Sequence, residues 1–137
     1  MPKDYDEAYY QKAYDYITNE TDYNIRAAIA VKKYFSDIND LHTKKILEVG
    51  AGMGKNIYLL KNAAAYDTSS FSKKFCTRKG IPVVNTIASN TYDLIASIHT
   101  LEHVPTPLAH LQSIYSKLKK GGTFLLILPY ERHRLTA

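Results

Sequence analysis

Two kinds of hydrophobic pattern divide the chain near residue 40. In residues 4–38 apolar positions recur at helical spacing, and the polar run 19–22 separates two predicted helices. The second helix has an apolar stripe that we expect to face the core, formed by Ile25, Ala28, Ile29, Val31, Phe35 and Ile38. We therefore predict an N-terminal helical segment over residues 1–40 that acts as a lid or cap and belongs to the same domain as the rest.

From residue 44 onward, short apolar runs alternate with helical patterns. The five predicted strands are 44–50, 63–67, 81–85, 92–98 and 123–129. The helices between them are predicted through Ile57, Leu59 and Leu60, from Ser69 or Ser70 to Gly80, and from Thr106–Pro107 to Gly121–Gly122. Such alternation predicts an α/β fold over residues 41–137, a Rossmann-like doubly wound and mostly parallel sheet of about five strands.

A glycine-rich turn directly follows the first predicted strand. Gly50, Gly52 and Gly54 occupy alternate positions between the strand and helix-compatible residues. Glycine suits such a turn because it adopts positive φ without strain and because a missing Cβ lets a ligand approach the backbone. The turn is therefore a candidate ligand site, and a glycine turn without a ligand is the alternative.

Spacing separates the kinds of site that this turn could form. The dinucleotide fingerprint G-x-G-x-x-G needs its third glycine where this chain has Lys55. The phosphate loop G-x-x-x-x-G-K-[ST] needs glycine in place of Val49 and a hydroxyl residue in place of Asn56. Both patterns fail, which leaves acidic-x-G-x-G-x-G from Glu48 to Gly54.

Other polar residues also fall at the C-terminal ends of predicted strands, where open parallel sheets bind ligands. Asp67 ends the second strand, Asn85 ends the third, and residues 99–103 follow the fourth. The acceptor-only oxygens of Asp67 suit the two hydroxyls of a ribose, although Asp67 could instead begin a helix cap. We expect these stretches to line one crevice with the glycine turn.

These residues together carry a resemblance to a known family. Residues 48–54, 92–107 and 118–129 resemble class I S-adenosylmethionine-dependent methyltransferases, within the small-molecule group that includes ubiquinone-type and sugar-type enzymes. The resemblance extends over roughly residues 44–130 and implies S-adenosylmethionine as the cofactor. By position, it assigns to cofactor binding Glu48, Gly50, Ala51, Gly52, Gly54, Asp67, Asn85, Thr86, Ser97 and His99.

The resemblance also implies a reaction, which is in-line transfer of the methyl group to a small-molecule acceptor. The sulfonium is already an activated donor, so the protein mainly aligns the reactants and excludes water. His103 or His99 is the candidate general base, and a role in fixing the loop is the alternative for His103. The candidate acceptor-site or lid residues are Tyr9, Tyr10, Tyr14 and Tyr130. Packing onto the sheet is the alternative for the helical tyrosines.

A metal site is not expected, even though residues 99–103 spell the zinc motif H-x-x-E-H. That motif requires a helix with both histidines on one face, whereas here it follows a predicted buried strand and meets Pro105. The single cysteine, Cys76, excludes an internal disulfide and is expected to be packed inside a helix.

Composition narrows the functional classes. The 137 residues are 45% hydrophobic and 23% charged, as in ordinary globular domains. We expect a cytoplasmic protein with no membrane partner, because no apolar run could span a bilayer and the first residues do not resemble a signal peptide. The net charge is +5, but the basic residues form small groups near predicted helix ends. A solvated face is therefore favoured over nucleic-acid binding.

The sequence departs from the family pattern in two places, one in the adenine contact and one in the number of strands. Between Asn85 and Tyr92 there are six residues and no acid, so Asn85 or Thr86 would have to contact the adenine. The chain ends eight residues after Pro129, so we expect the last two of the usual seven strands to be missing. The fifth strand would then be an apolar sheet edge, covered in a homodimer or by another partner. A non-catalytic cofactor-binding module is the main alternative function, and Lys55 disfavours a nucleotide-dependent oxidoreductase.

Overall fold

The computed structural model describes Ala8 and residues 20–129. In chain order its elements are α1 (Glu20–Tyr34), β1 (Ile46–Val49), β2 (Ala63–Tyr66), α2 (Ser70–Arg78), β3 (Tyr92–Ile98), α3 (Pro107–Lys117) and β4 (Leu118–Ile127), with 3-10 turns at Leu41–Thr43 and Leu101–His103. The first predicted helix and the candidate residues Tyr9, Tyr10, Tyr14 and Tyr130 lie outside the described residues. Among the described helices, none is long and apolar enough to cross a membrane.

The four strands form one sheet in the order β2-β1-β3-β4, and every pairing is parallel. β1 lies in the middle, where Glu48 pairs with Ala65 on one side and with Ala96 on the other. The carboxyl ends of all four strands therefore share one edge of the sheet. This arrangement confirms the predicted α/β Rossmann-like fold class and gathers the glycine turn, Asp67 and residues 99–103 at that edge.

The core lies on both faces of the sheet because successive strand residues point to opposite faces. Ile46, Leu94 and Ala96 belong to one buried cluster, and Leu47 and Ile95 belong to another. Such strands, buried on both faces, are typical of parallel sheets covered by helices. Against this apolar background, Glu48 and Ser97 are the two fully buried polar side chains of the described strands.

Three predicted elements differ from those observed. The predicted strand 81–85 makes only one isolated bridge, between Val83 and Ala65, and Pro82 has no N–H to extend a ladder. The predicted helix through Ile57 is a series of turns, with i→i+3 hydrogen bonds such as Ile57 N–H to the Gly54 carbonyl. The last helix ends at Lys117 rather than at the glycines 121–122, which lie inside β4 where its register with β3 shifts.

The prediction of the buried face of α1 was wrong for its first half. Ile25 and Ile29 are 53% and 56% exposed, whereas the buried residues of α1 are Tyr23, Ala27 and Ala30. Tyr23, Ala27 and Ala30 are spaced by four and three residues, so they share one face of the helix, and that face is the buried one. The rest of the predicted stripe fits better, because Phe35 after the helix end is 1% exposed.

β4 is the last strand of the sheet within residues 20–129, and no described strand pairs with its outer edge. Its final four residues, 124–127, are half-buried rather than buried. The strand therefore has the edge position predicted for it, and its cover stays a prediction.

Candidate functional site

The glycine turn has the backbone geometry that its sequence predicts. Gly50, Gly52 and Gly54 have φ angles of 76°, 58° and 73°, in the left-handed region that favours glycine. Close packing is a second requirement, because a Cβ on Gly50 would overlap the side chain of Thr100, and one on Gly54 would overlap Ile81. Any larger residue at these positions would therefore distort the turn.

Most N–H groups of the turn are used inside the protein. Four of the five N–H groups in residues 50–54 donate to protein acceptors at 2.8 to 3.2 Å. The pairs are Gly50 and Ala51 to the Tyr66 carbonyl, Gly52 to the Asp67 carboxylate, and Gly54 to the Ala51 carbonyl. A phosphate cradle needs a row of N–H groups that point at the ligand. The geometry therefore argues against a nucleotide phosphate on this turn.

The carbonyl groups of the turn are held from two helices. The Gly52 carbonyl accepts hydrogen bonds from Ser72 Oγ at 2.5 Å and from Cys76 Sγ at 3.4 Å, both on α2. The Met53 carbonyl accepts one from Tyr23 Oη on α1 at 2.7 Å. Cys76 is buried, as its predicted packing requires, and burial raises the pKa of its thiol to about 12. It is therefore a neutral thiol with a structural contact.

Glu48 is a fully buried carboxyl group beside the turn. Its Oε2 accepts a hydrogen bond from Asn56 Nδ2 at 2.9 Å, and its Oε1 has no partner among the described residues. Burial raises its pKa to about 8, although the Asn56 hydrogen bond and the Lys55 charge act in the opposite direction. The site therefore contains a buried oxygen that can accept a further hydrogen bond.

Asp67 performs two structural tasks at the end of β2. Its Oδ2 accepts from the N–H of Gly52, and its Oδ1 accepts from the N–H of Ser69, both at 2.9 Å. Asp67 therefore has the alternative role considered for it, at the start of the α2 cap, through its bond to Ser69. Its bond to Gly52 in the turn was not predicted. Each carboxylate oxygen can accept more than one hydrogen bond, so these contacts leave the ribose role as a prediction.

The two candidate histidines lie beyond β3. His99 is an exposed residue with φ of 53°, and its ring lies edge-on to Tyr34 with centroids 6.4 Å apart. His103 ends the 3-10 turn, and its Nε2 lies 3.5 Å from Glu102 Oε1. This short turn is not the α-helix that the zinc motif requires. Within residues 20–129 no group of three side chains could hold a metal ion.

The remaining predicted site residues are less closely grouped. Asn85 and Thr86 are exposed and follow the Val83 bridge. Ser97 is buried, but it follows Ala96, the partner of Glu48 in the sheet, so its side chain lies on the opposite face from Glu48. Only its backbone can take part in the floor of a crevice on the Glu48 face.

Four residues that hold the site together were not predicted from the sequence. Tyr23 and Ser72 hold the turn, Asn56 binds Glu48, and the Thr100 side chain packs against Gly50. Asn56 lies two positions after the glycine motif, so its closeness in the sequence could have indicated that it belongs to the site. Tyr23 is 30 residues from Met53, and no local pattern predicts such a contact.

Comparison with known proteins identifies the family. A family profile described as a methyltransferase domain matches residues 20–136. The chain belongs to this methyltransferase family. The predicted class I S-adenosylmethionine-dependent methyltransferase family is confirmed, and S-adenosylmethionine is the cofactor of that family. A comparison with curated proteins found no match.

Three solved structures that share the fold of this chain are distant from it in sequence. An S-adenosylmethionine-dependent methyltransferase from Thermotoga maritima, a possible histamine N-methyltransferase, is 23% identical over 75% of this chain, with a TM-score of 0.61. A proposed methyltransferase in complex with the Haloferax volcanii Trm112 activator is 15% identical over 90%, with a TM-score of 0.66. Coclaurine N-methyltransferase bound to N-methylheliamine and S-adenosylhomocysteine is 18% identical over 77%, with a TM-score of 0.58. The chain spans 50%, 58% and 35% of their respective lengths.

Proposed function

We propose that this chain binds S-adenosylmethionine at the glycine turn and takes part in methyl transfer to a small-molecule acceptor. The observation that carries the proposal is the kind of polar atom the turn offers. Its N–H groups are mostly consumed, while the buried Oε1 of Glu48 has no partner among the described residues. A carboxyl group suits a ligand with a sulfonium and an ammonium group, because these positive charges would favour its ionised form over the neutral form that burial favours, whereas N–H groups would suit phosphates.

The residues at the edge of the sheet fit the parts of this cofactor. Glu48 and the turn would contact the methionine end, and Asp67 would accept the ribose hydroxyls. Asn85 or Thr86 would contact the adenine, because both follow the Val83 bridge and are exposed. The backbone from Ser97 to His99 would form the floor near the sulfonium. The assigned cofactor residues are therefore Glu48, Gly50, Ala51, Gly52, Gly54, Asp67, Asn85, Thr86, Ser97 and His99.

Bound S-adenosylmethionine supplies an activated methyl group. The main task of the side chains is therefore to remove a proton from the acceptor. We assign the general base to His103, with His99 as the alternative. The Glu102 carboxylate, 3.5 Å from His103 Nε2, would stabilise the imidazolium that forms after proton uptake. Both histidines are exposed, so an acceptor can reach them from solvent. A role in the lid or the acceptor site stays a prediction for Tyr9, Tyr10, Tyr14 and Tyr130.

A non-catalytic cofactor-binding module is the second candidate function. It is favoured by the outer edge of β4, which no strand within residues 20–129 covers. In this case a second copy or another protein would cover the edge and supply the acceptor site. The Haloferax neighbour, which was solved with an activator protein, makes such a partner reasonable. A cytoplasmic location and the role of residues 1–40 as a lid or cap within the same domain also stay predictions.

Calorimetric titration tests the proposed cofactor directly. We expect S-adenosylmethionine and S-adenosylhomocysteine to bind and NAD not to bind. The Gly52→Arg variant should abolish binding, since Gly52 has φ of 58° inside the turn. Gly121→Arg is the matched control, because Gly121 has φ of 78° but lies in β4 with nothing within 4 Å of its Cβ position. The proposal fails if the unmodified protein binds neither adenosyl ligand.

A further inference from the structure

Tyr23 on α1 contacts the glycine turn through a hydrogen bond. It is 2% exposed, and its hydroxyl donates to the Met53 carbonyl at 2.7 Å. A buried hydroxyl is costly without a partner, so this bond is needed once the ring is buried. Burial raises the pKa of the hydroxyl, which keeps it a neutral donor.

The accepting carbonyl lies at a sensitive point of the backbone. Met53 stands between Gly52 and Gly54, whose φ angles are 58° and 73°. Glycine residues have many accessible conformations, so the sequence of the turn does not by itself select one. The peptide group that joins Met53 to Gly54 is held at both ends, by Tyr23 at its carbonyl and by the Ala51 carbonyl at its N–H. Tyr23 is therefore the residue of α1 that helps to hold this shape of the turn.

The Tyr23 ring also anchors α1 to α2. Its centroid lies 5.9 Å from that of Phe75, and Lys79 Nζ lies 4.1 Å above the ring. Lys79 is 3.9 Å from the Glu20 carboxylate at the start of α1. The other buried residues of α1 are alanines, so Tyr23 is the large side chain through which this helix packs. The same residue therefore contributes both to the docking of α1 and to the hydrogen bonds that hold the turn.

We infer that Tyr23 is a positioning residue for the cofactor site, which couples the docking of α1 to the cofactor-binding shape of the glycine turn. This inference rests on the proposed function. Coupling of this kind is reciprocal, because any ligand that needs one shape of the turn must also favour the docked helix. Cofactor binding should thus protect α1 from local opening, although α1 need not touch the cofactor.

Tyr23→Phe is the decisive variant because it keeps the ring and removes only the hydroxyl. Since the net value of a hydrogen bond is about 1 to 1.5 kcal/mol, we expect the Kd for S-adenosylhomocysteine to rise about 5- to 10-fold. In the unmodified protein, S-adenosylhomocysteine should slow amide exchange in residues 20–34. This protection should be lost in Tyr23→Phe, which a mere loss of stability would not cause.

Tyr58→Phe is the matched control. The Tyr58 ring packs edge-on against Tyr23 at 5.2 Å, and within residues 20–129 its hydroxyl makes no hydrogen bond to the turn. We expect normal affinity and normal protection of α1 in this variant. Circular dichroism establishes that each variant is folded at the temperature of the titration.

The outcomes separate this inference from the proposed function. If the unmodified protein binds S-adenosylhomocysteine but α1 gains no protection, the inference is wrong, and this result needs no variant to fold. If Tyr23→Phe keeps full affinity and full protection, the inference is also wrong while the cofactor site stands. If the unmodified protein binds no adenosyl ligand, both are overturned.

Discussion

The Glu48→Gln substitution replaces a buried carboxyl group by an amide, and it should change how the stability of the protein depends on pH. Glu48 is 0% exposed, and the charged groups that face it are Lys55, which favours its ionised form, and Asp67, which opposes it. Cys76 and Tyr23 also lie within electrostatic range, but both stay neutral because burial raises their pKa values. The variant keeps the shape of the side chain, so Asn56 can still donate to an amide oxygen, and no charge can form.

The magnitude follows from the pKa of about 8 in the folded protein against 4.5 for an ordinary glutamate. Between these values the folded protein holds a proton that the unfolded chain has released, so the free energy of unfolding falls as pH rises. Each pH unit costs about 1.36 kcal/mol for one proton, so the loss approaches roughly 5 kcal/mol at pH 8. Below pH 4.5 both states are protonated and the contribution is fully present. Against a total stability of about 5 to 15 kcal/mol, such a loss is large.

Urea denaturation followed by circular dichroism at pH 5, 6, 7 and 8 measures this difference. Relative to the unmodified protein, Glu48→Gln should gain stability with each step in pH, and groups shared by both proteins cancel. Glu20→Gln is the charge control, because the Glu20 side chain is 77% exposed. Parallel stability profiles for Glu48→Gln and the unmodified protein would show that burial does not shift this carboxyl and would refute the reasoning.

Two further variants test the site. Asp67→Ala removes the acceptor of the Gly52 and Ser69 N–H groups, so we expect a loss of about 1 to 3 kcal/mol in stability and a weaker calorimetric affinity for S-adenosylmethionine. Asp93→Ala, at the opposite end of β3, is its control, and equal affinity in both variants would contradict the ribose assignment. If the acceptor is a hydroxyl or a protonated amine, His103→Gln should lower the rate of S-adenosylhomocysteine formation by about 10²- to 10⁴-fold, with cofactor affinity unchanged. An unchanged rate would leave His103 without a role as base.

Much of the fold was predictable because its information is local. The glycines at alternate positions require positive φ, and all three have it. Ser69 caps α2 through its hydroxyl, and Gly80 with φ of 80° follows the helix end, as their residue types predict. Such features depend on a few neighbouring residues, so they persist whatever the rest of the chain does.

The orientation of α1 was less predictable because it depends on distant partners. By periodicity alone, the larger Ile25 and Ile29 should be buried, yet Tyr23 and the small Ala27 face the core instead. Burial of Tyr23 is decided by Met53, which accepts its hydrogen bond, and by Phe75, which packs against its ring. Neither residue is near α1 in the sequence.

By itself, the sequence determined the alternation of strands and helices, the glycine turn after β1 and the family to which the chain belongs. These depend on backbone conformation and hydrophobic period, which act over a few residues. Only the tertiary structure decided that three N–H groups of the turn donate to Tyr66 and Asp67 and that Tyr23 of α1 donates to the turn. It also decided that Glu48 is buried with one oxygen that has no partner within residues 20–129. These are contacts between residues distant in sequence, and the packing of the helices on the sheet brings them within hydrogen-bonding distance.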